Sequence, residues 1–440
     1  MKRECPVWAA AKTRPAAPAL IFGGRTWTWA EAEAEVAATA RTMPVAPGDR
    51  VAVQSWNSPA LVWLFFAAAR RGATVLPLNA RLTAGELKSL TESVGISRLD
   101  GKTVEGSIEI EDDHVAAALF TSGTTGVAKL VELTHGNFRA SAAANALRLG
   151  GESSQRWLGT LPLFHVGGLA MLYRCAHYGA SIALEAQFDA ARACALMDQG
   201  VTHVSFVPTM LERVLAVRGD RPFAGVKAAL IGGGPMTSAT LQRARAAGLP
   251  VLQTYGLTEA CSQVTTESLE DADGTTAGTP IHGVEVRITN PDAQGVGEIE
   301  VRGPTVAKGL GPWLQTKDLG ALDQRGRLAI KSRRLDLILC GGENVYPAEV
   351  EAVLREHPMI RDVAIVARAD AEWGQVPVAI VVADVFDPEG LTAWARQRLA
   401  AFKLPRAWVQ IEALPTNATG KVDRLALVEL LRVAPTACAR

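Results

Sequence analysis

Phe120-Thr121-Ser122-Gly123-Thr124-Thr125-Gly126-Val127-Ala128-Lys129 follows directly on the apolar run Val115 to Leu119. Small hydroxyl residues and glycines let backbone N–H groups turn toward an anion, and the lysine at the end adds a point charge, so the stretch reads as a phosphate-gripping loop behind a strand. It is not a Walker A loop, because Lys129 stands three residues after Gly126 and not directly behind it. A flexible Ser/Thr/Gly surface loop has the same composition, so the reading depends on its surroundings.

On both sides of this loop, β-rich apolar runs alternate with Ala/Arg/Glu-rich helical stretches, the pattern of a mainly parallel sheet covered by helices. Arg50 to Gln54 reads as a strand followed by a helix from Ala60 to Arg71; Thr74 to Leu78 reads as a strand followed by a helix from about Thr83. Ala228 to Ile231 reads as a strand running into Gly232-Gly233-Gly234-Pro235, with a helix from Ser238. From Gly278 to Arg302 the pattern shifts to short extended runs punctuated by Gly and Pro, which reads as antiparallel β or a small barrel. After the basic cluster Lys331-Ser332-Arg333-Arg334 the character changes again: helix Pro347 to His357, strands Val363 to Val366 and Val378 to Val382, and helix Leu391 to Ala401. The expected class is therefore α/β: a large domain, 1–333, of parallel helix-covered sheets plus a small β-barrel, and a small α+β domain, 334–440.

Composition narrows the function. The chain has 440 residues, beyond what one core usually serves. Lys plus Arg and Asp plus Glu both number 45, so no overall positive field exists to hold a nucleic-acid backbone or an anionic membrane. The six cysteines contain no CxxC pair, which fits neither a disulfide framework nor a structural zinc site and points to a reducing cytosol. No apolar h-region follows Met1-Lys2-Arg3, and the longest apolar run, Leu61 to Ala69, is too short to span a bilayer. The seven histidines form no HExxH pair and no GxSxG elbow is present, which disfavours a hydrolase. Assembly is left open, with a homodimer as one candidate.

A second stretch, Thr254-Tyr255-Gly256-Leu257-Thr258-Glu259, sets an aromatic, a hydroxyl and a carboxylate close together after Val251-Leu252. Tyr255 would stack on a base, Thr258 would bond a phosphate oxygen and Glu259 would hold Mg²⁺. The alternative is a strand end with an exposed glutamate.

Taken in order, the loop at 121–126, Leu161-Pro162-Leu163-Phe164-His165, Gly232-Gly233-Gly234-Pro235, the 254–259 stretch, Asp318, Arg333, Gly341-Gly342-Glu343-Asn344-Val345-Tyr346-Pro347 and Pro415 to Lys421 resemble the adenylate-forming superfamily of acyl-CoA synthetases, luciferases and peptide-synthetase adenylation domains. The resemblance runs from about Trp27 to Arg424 and implies ATP, Mg²⁺, coenzyme A and a small carboxylic acid as ligands. It implies that Thr121, Ser122, Gly123, Thr124, Thr125, Gly126 and Lys129 hold the β and γ phosphates. Gly233, Gly234 and Pro235 would line the adenine beside Tyr255 and Gly256, and Asp318 and Arg333 would bind the ribose. Thr258 and Glu259 would sit by the α-phosphate and the metal, His165 would gate the acyl site, and Lys421 would reach the reacting carboxylate. Gly341 and Gly342 would line a pantetheine tunnel once the small domain rotates about a hinge near Arg333 to Asp336; a simple turn is the other reading of that Gly-Gly.

Within the superfamily, Pro162 to Leu169, Gln253 to Gln263 and Glu372 to Pro377 are most similar to the o-succinylbenzoate–CoA ligases of menaquinone biosynthesis. The resemblance around His165 and Gln263 implies a pocket for an aromatic diacid. Departures from the group's pattern are Lys317 in place of the glycine before Asp318, Ala128 for a proline, Gly167 for a serine, Leu335 for a polar hinge residue, and a shortened segment from Lys308 to Gln315.

Overall fold

The computed structural model describes residues 1–93, 107–122, 128–234, 236, 238–291, 295–332, 338–345, 347–415, 422, 424–433 and 437–438. By internal contacts the chain divides into two compact units. The first is Met1–Ala80, Gly95–Leu119 and Leu130–Arg333; the second is Arg81–Val94, Phe120–Lys129 and Arg334–Arg440.

The first unit is built on three larger sheets and a two-stranded pair, Lys2–Glu4 with Glu109–Glu111. The largest has nine strands, whose central run from Val251–Leu257 through Ala228–Ile231, His203–Phe206, Arg156–Gly159 and Ser181–Leu184 to Pro18–Phe22 is parallel. Antiparallel strands close both edges: Ser262–Thr266 and Thr279–Pro280 on one side, Arg25–Thr28 on the other. Continuous apolar strands such as Ala228–Ile231, buried at every position, are what a sheet covered on both faces requires. A second sheet pairs Arg50–Gln54, Thr74–Leu78, Val115–Ser122 and Ala128–Thr134, so the expected phosphate loop joins neighbouring strands. The helix Pro59–Arg70 between the first two of these starts at Ser58, whose side chain accepts from the Leu61 N–H, with proline next to it. Its apolar run is buried on nearly every side, so it is a core helix. No described helix is long and apolar enough to cross a membrane. The antiparallel character expected of 278–302 is present as an open four-strand path, Glu285–Thr289, Gly297–Arg302, Leu314–Leu322 and Leu328–Ser332, in place of a closed barrel: among the described residues no pairing joins its first strand to its last.

The second unit carries one sheet of six strands. Ile360–Asp370 and Gly374–Ala383 form its long central hairpin; the helix Pro347–Arg355 falls where periodicity places it, while the helix expected over Leu391 to Ala401 is found earlier, at Pro388–Arg396, capped by Asp387 with proline at its first turn. The helix Ala84–Ser93 belongs to this unit, and charge fastens it there. Glu86 closes a capping box on Thr83 with one oxygen, at 2.9 Å from the Thr83 N–H, while its other oxygen takes the Lys403 ammonium at 3.0 Å. Glu349 accepts from the same ammonium at 2.6 Å. Burial disfavours the Lys403 cation, yet Glu349 and Glu86 outweigh it and hold its pKa above the ordinary lysine value. Arg81 adds a second tie, to the buried Glu343 at 2.9 Å.

Two histidines of the first unit are folded in as neutral rings. His135 opens the helix His135–Leu149 and is 1 % exposed; burial first, then Arg139 and His114, push its pKa from 6.5 down to about 3. His203 stacks on Trp157 at 4.9 Å, and burial, Lys227 and Arg174 push it down to about 4. A depressed folded pKa means that only the unfolded chain binds the proton as pH falls. The contribution to stability is thus whole above about pH 6.5 and is lost on the way down to the folded value. Each ring is expected to cost about 2 kcal/mol of stability by pH 5 relative to pH 8. Urea unfolding at both pH values checks this: His135→Phe should lose about 2 kcal/mol less than the wild type on acidification, and an unchanged loss would sink the assignment.

Candidate active site

Two glycine-bearing segments, one a loop and one the continuation of a strand, meet at the carboxyl ends of adjacent parallel strands, where open α/β sheets hold their ligands. Ile231 pairs with Gln253, so Gly232-Gly233-Gly234, past the end of one strand, follows a pairing that sets it beside Thr254-Tyr255-Gly256, where the neighbouring strand continues to Leu257 paired with Ser262–Thr266. Their closeness requires glycine. A Cβ on Gly232 would sit 2.9 Å from the Thr254 methyl, and Gly233 has φ +80° with Val207 at 3.1 Å from its would-be Cβ. Gly256 lies at a register shift against the next strand, and a Cβ there would fall 1.7 Å from the Ser262 carbonyl oxygen.

The turn that follows is held under strain. Thr258–Ala260 forms a short 3₁₀ turn, and Cys261 and Ser262 adopt φ of 52° and 85°, a left-handed region rarely taken by side-chain-bearing residues. The Ser141 hydroxyl caps the Cys261 carbonyl at 3.1 Å, and the Ala307 N–H donates to the Glu259 carbonyl at 2.8 Å. Segment 304–306 is pinned in turn by the Asn137 amide, which donates to Pro304 and Val306 at 2.8 and 3.0 Å. Glu259 is 9 % exposed, so the alternative of an exposed strand-end glutamate does not hold. Among the described residues nothing donates to its carboxylate. That suits a magnesium ion, which takes one or two carboxylates and fills its remaining positions with phosphate and water oxygens. No described cluster of three or more His, Cys, Asp or Glu side chains offers an all-protein metal cage.

Tyr255 departs from expectation. Its ring is 2 % exposed and packs in the core with Ala260, Val264 and Ile281, so it offers no open face for a base. Strand alternation turns this position inward, and the hydroxyl reaches Asp318 Oδ2 at 2.6 Å. Asp318 thereby joins the 254–259 strand. The preceding Lys317 has φ +62°, which explains why glycine is usual at that position: the backbone there is left-handed.

His165 stands just before the helix Val166–Tyr178, edge-on to Phe164 at 4.9 Å. The loop leading to it is fastened by a residue that gave no signal in the sequence. Asn57, 2 % exposed, accepts from the Leu163 N–H at 2.8 Å and donates to the Leu161 carbonyl at 3.0 Å. Gly168 is obligatory, since a Cβ would meet the Pro162 carbonyl oxygen at 2.3 Å. Gln263 is not available to a substrate: it is 3 % exposed, its oxygen accepts from Asn145 and Arg174, and its amide donates to Thr266. It ties the helix Val166–Tyr178, through Arg174, to the strand after Glu259.

Thr121 and Lys129 lie at the facing ends of two strands, where the Thr121 hydroxyl donates to the Lys129 carbonyl at 3.4 Å. Gly341 and Gly342, with φ of +58° and +86°, form the two-residue turn between Ile338–Cys340 and Glu343–Val345. A Cβ on Gly341 would come within 2.5 Å of Trp373, so a turn and a packing contact already require glycine there. Ser122 is described through its backbone alone; Gly123, Thr124, Thr125, Gly126, Pro235, Arg333 and Lys421, with the expected hinge at 333–336, lie outside the described residues.

A helix-covered parallel sheet with glycine-rich segments at its carboxyl edge, followed by a smaller α+β unit, is the architecture of an adenylate-forming enzyme. The chain belongs to the family described as AMP-binding enzyme, which matches residues 7–99 and 100–310, with the AMP-binding enzyme C-terminal domain matching 349–421. It is 36% identical to the 2-succinylbenzoate–CoA ligase of Bacillus velezensis over 98% of this chain and 99% of that one. Among solved structures, a double mutant of the Bacillus subtilis o-succinylbenzoate CoA synthetase bound with its product analogue OSB-NCoA superposes with a TM-score of 0.93 at 32% identity, covering 98% of this chain and 99% of that one. The same enzyme in complex with the acyl-adenylate intermediate OSB-AMP gives 0.73 at 32% identity, with both chains fully covered.

Proposed function

We infer that this chain is an ATP-dependent acid–CoA ligase that joins 2-succinylbenzoate to coenzyme A through an acyl-adenylate, as a step of menaquinone biosynthesis. The reading is carried by end-to-end likeness, 36% over 98% of the chain, to a ligase named for that acid. Five described cysteines are buried free thiols, which supports the cytosol as its compartment.

A carboxylate is a poor electrophile, so an oxygen of the acid attacks the α-phosphorus of ATP and pyrophosphate leaves in line. Two anions must approach one another. On this reading Lys129, with Thr121, Ser122, Thr124 and Thr125, holds the β and γ phosphates, Thr258 bonds the α-phosphate, and Lys421 faces the attacking carboxylate. Magnesium, when bound, supplies charge neutralisation to the phosphates, with Glu259 as its protein ligand. Preorganised charges of this kind act far more strongly in a water-poor cleft than in bulk solvent, and excluding water also spares the adenylate from hydrolysis. In the second half-reaction the coenzyme A thiolate attacks the acyl carbon and AMP leaves. We assign residues 334–440 as the mobile part whose rotation withdraws Lys421 and brings the 341–342 turn to the thiol path.

The test is ATP–pyrophosphate exchange over a panel of acids, with and without coenzyme A. 2-Succinylbenzoate is expected to exceed benzoate and octanoate by at least roughly tenfold, because losing a specific polar contact costs that much or more. Equal or better exchange with octanoate would overturn the substrate assignment. Thioester formation with free coenzyme A separates this enzyme from one that loads a carrier protein.

A further inference from the structure

We propose that Tyr255 is a positioning residue for nucleotide recognition: its buried hydroxyl orients the Asp318 carboxylate that receives the ribose hydroxyls. The proposal rests on the reading of Asp318 as the ribose ligand.

A phenol hydroxyl in an apolar core must find an acceptor, or its desolvation goes uncompensated. Tyr255 is enclosed by Ala260, Val264, Ile281 and Leu314, and its O–H donates to Asp318 Oδ2 at 2.6 Å, the length of a charge-assisted bond to a carboxylate. The donor is rigid, because a buried ring on a central strand cannot change rotamer without opening the core. The carboxylate is thus turned by a fixed point outside its own strand.

From below, the backbone of Asp318 is fixed just as firmly. The pairing of Gly297–Arg302 with Leu314–Leu322 shifts register between Glu298 and Glu300, a bulge of the kind that re-aims a side chain. Lys317 absorbs the irregularity at φ +62°, with its N–H on Glu298 Oε1 at 3.1 Å. The Asp318 N–H donates to the hydroxyl of Thr316, a residue 1 % exposed, which itself donates to the Ile299 carbonyl at 2.7 Å. A strained non-glycine residue persists only where its surroundings over-determine it. The bulge sets where Asp318 stands, and Tyr255 sets which way its carboxylate faces. Tyr255 also lies three residues before Thr258 on the same continuous segment, so the group that turns the ribose ligand is built into the backbone that presents the phosphate-side residues.

The measurement is pyrophosphate-exchange kcat/KM with ATP, 2′-deoxyATP and 3′-deoxyATP for wild type, Tyr255→Phe, Asp318→Ala and the double variant, with thermal melting of each as a control on folding. Tyr255→Phe keeps the ring and removes only the donor. It is expected to raise the KM for ATP about tenfold and to cut the preference for ATP over the deoxynucleotides by a similar factor, the range of one hydrogen bond to a charged group. Asp318→Ala should cut that preference at least as far, and the double variant should be no worse than Asp318→Ala alone. A merely structural tyrosine would lower activity with all three nucleotides alike and leave the ratios unmoved. If Asp318→Ala loses the preference and Tyr255→Phe keeps it, the positioning role is wrong and the ribose reading stands. If Asp318→Ala keeps it, both fall together.

Discussion

Lys421→Ala is expected to slow formation of the acyl-adenylate by ~10²-fold or more, the usual consequence of removing one preorganised charge from a water-poor site. The acid's carboxylate and the α-phosphate repel each other as they close, and Lys421 is the cation assigned to the attacking oxygen. Lys129 is assigned further out, on the β and γ phosphates, and cannot substitute at that atom. The thioester-forming half needs no such charge, since the adenylate is already an activated acyl group and its AMP is a good leaving group. Presynthesised acyl-adenylate should therefore be converted to thioester by Lys421→Ala at close to the wild-type rate. Single-turnover measurement of each half-reaction decides the matter; equal slowing of both would show that Lys421 is not confined to adenylation.

The reverse separation is expected of the turn at 341–342. Gly342→Trp should leave adenylate formation intact and depress thioester formation by ~10²-fold or more, because reacting atoms displaced by even an ångström or so lose that much. Gly342 is the better site of the two. At Gly341 any side chain strikes Trp373, so a bulky variant there would report on folding and not on the thiol path. Gly342 has φ +86°, and a substitution carries left-handed strain whatever its size. Gly342→Ala carries that strain without the bulk and is the control: it should form thioester while Gly342→Trp accumulates adenylate. If alanine blocks as fully as tryptophan, strain and not obstruction is the cause; if tryptophan forms thioester normally, the turn does not face the thiol path at all.

Much of this arrangement is legible in the sequence because it is local. Uniformly apolar runs between helical stretches announce a covered parallel sheet, and the strand at 228–231 falls where it is read. At Gly232, Gly233 and Gly256 backbones do approach closely, as the contacts their missing side chains would make show. Residues whose meaning depends on distant partners are read less well. Tyr255 looks like a stacking ring because a hydroxyl and a carboxylate suited to a phosphate and its metal follow it, but whether a strand position points in or out depends on register, and its acceptor is 63 positions away. Gln263 looks like a substrate contact and is consumed by Asn145, Arg174 and Thr266. Asn57 carries no motif, since its role exists only once strand ends distant in sequence converge.

The helix Ala84–Ser93 bears on how such enzymes can be recombined. Although it sits early in the chain, its glutamate neutralises a lysine 317 positions later, and Arg81 does the same for Glu343. The C-terminal stretch from 334 is therefore not a self-sufficient cassette. Spliced onto a foreign adenylation body, it would arrive with the buried Lys403 left to Glu349 without Glu86, and with Glu343 lacking the Arg81 guanidinium, so the charge balance of both buried sites would be disturbed. A chimera meant to exchange thioester specificity between relatives has to transplant 81–94 together with the C-terminal piece. The heritable unit of that lobe is discontinuous, and substitutions at Glu86 and Lys403 are expected to travel as a pair.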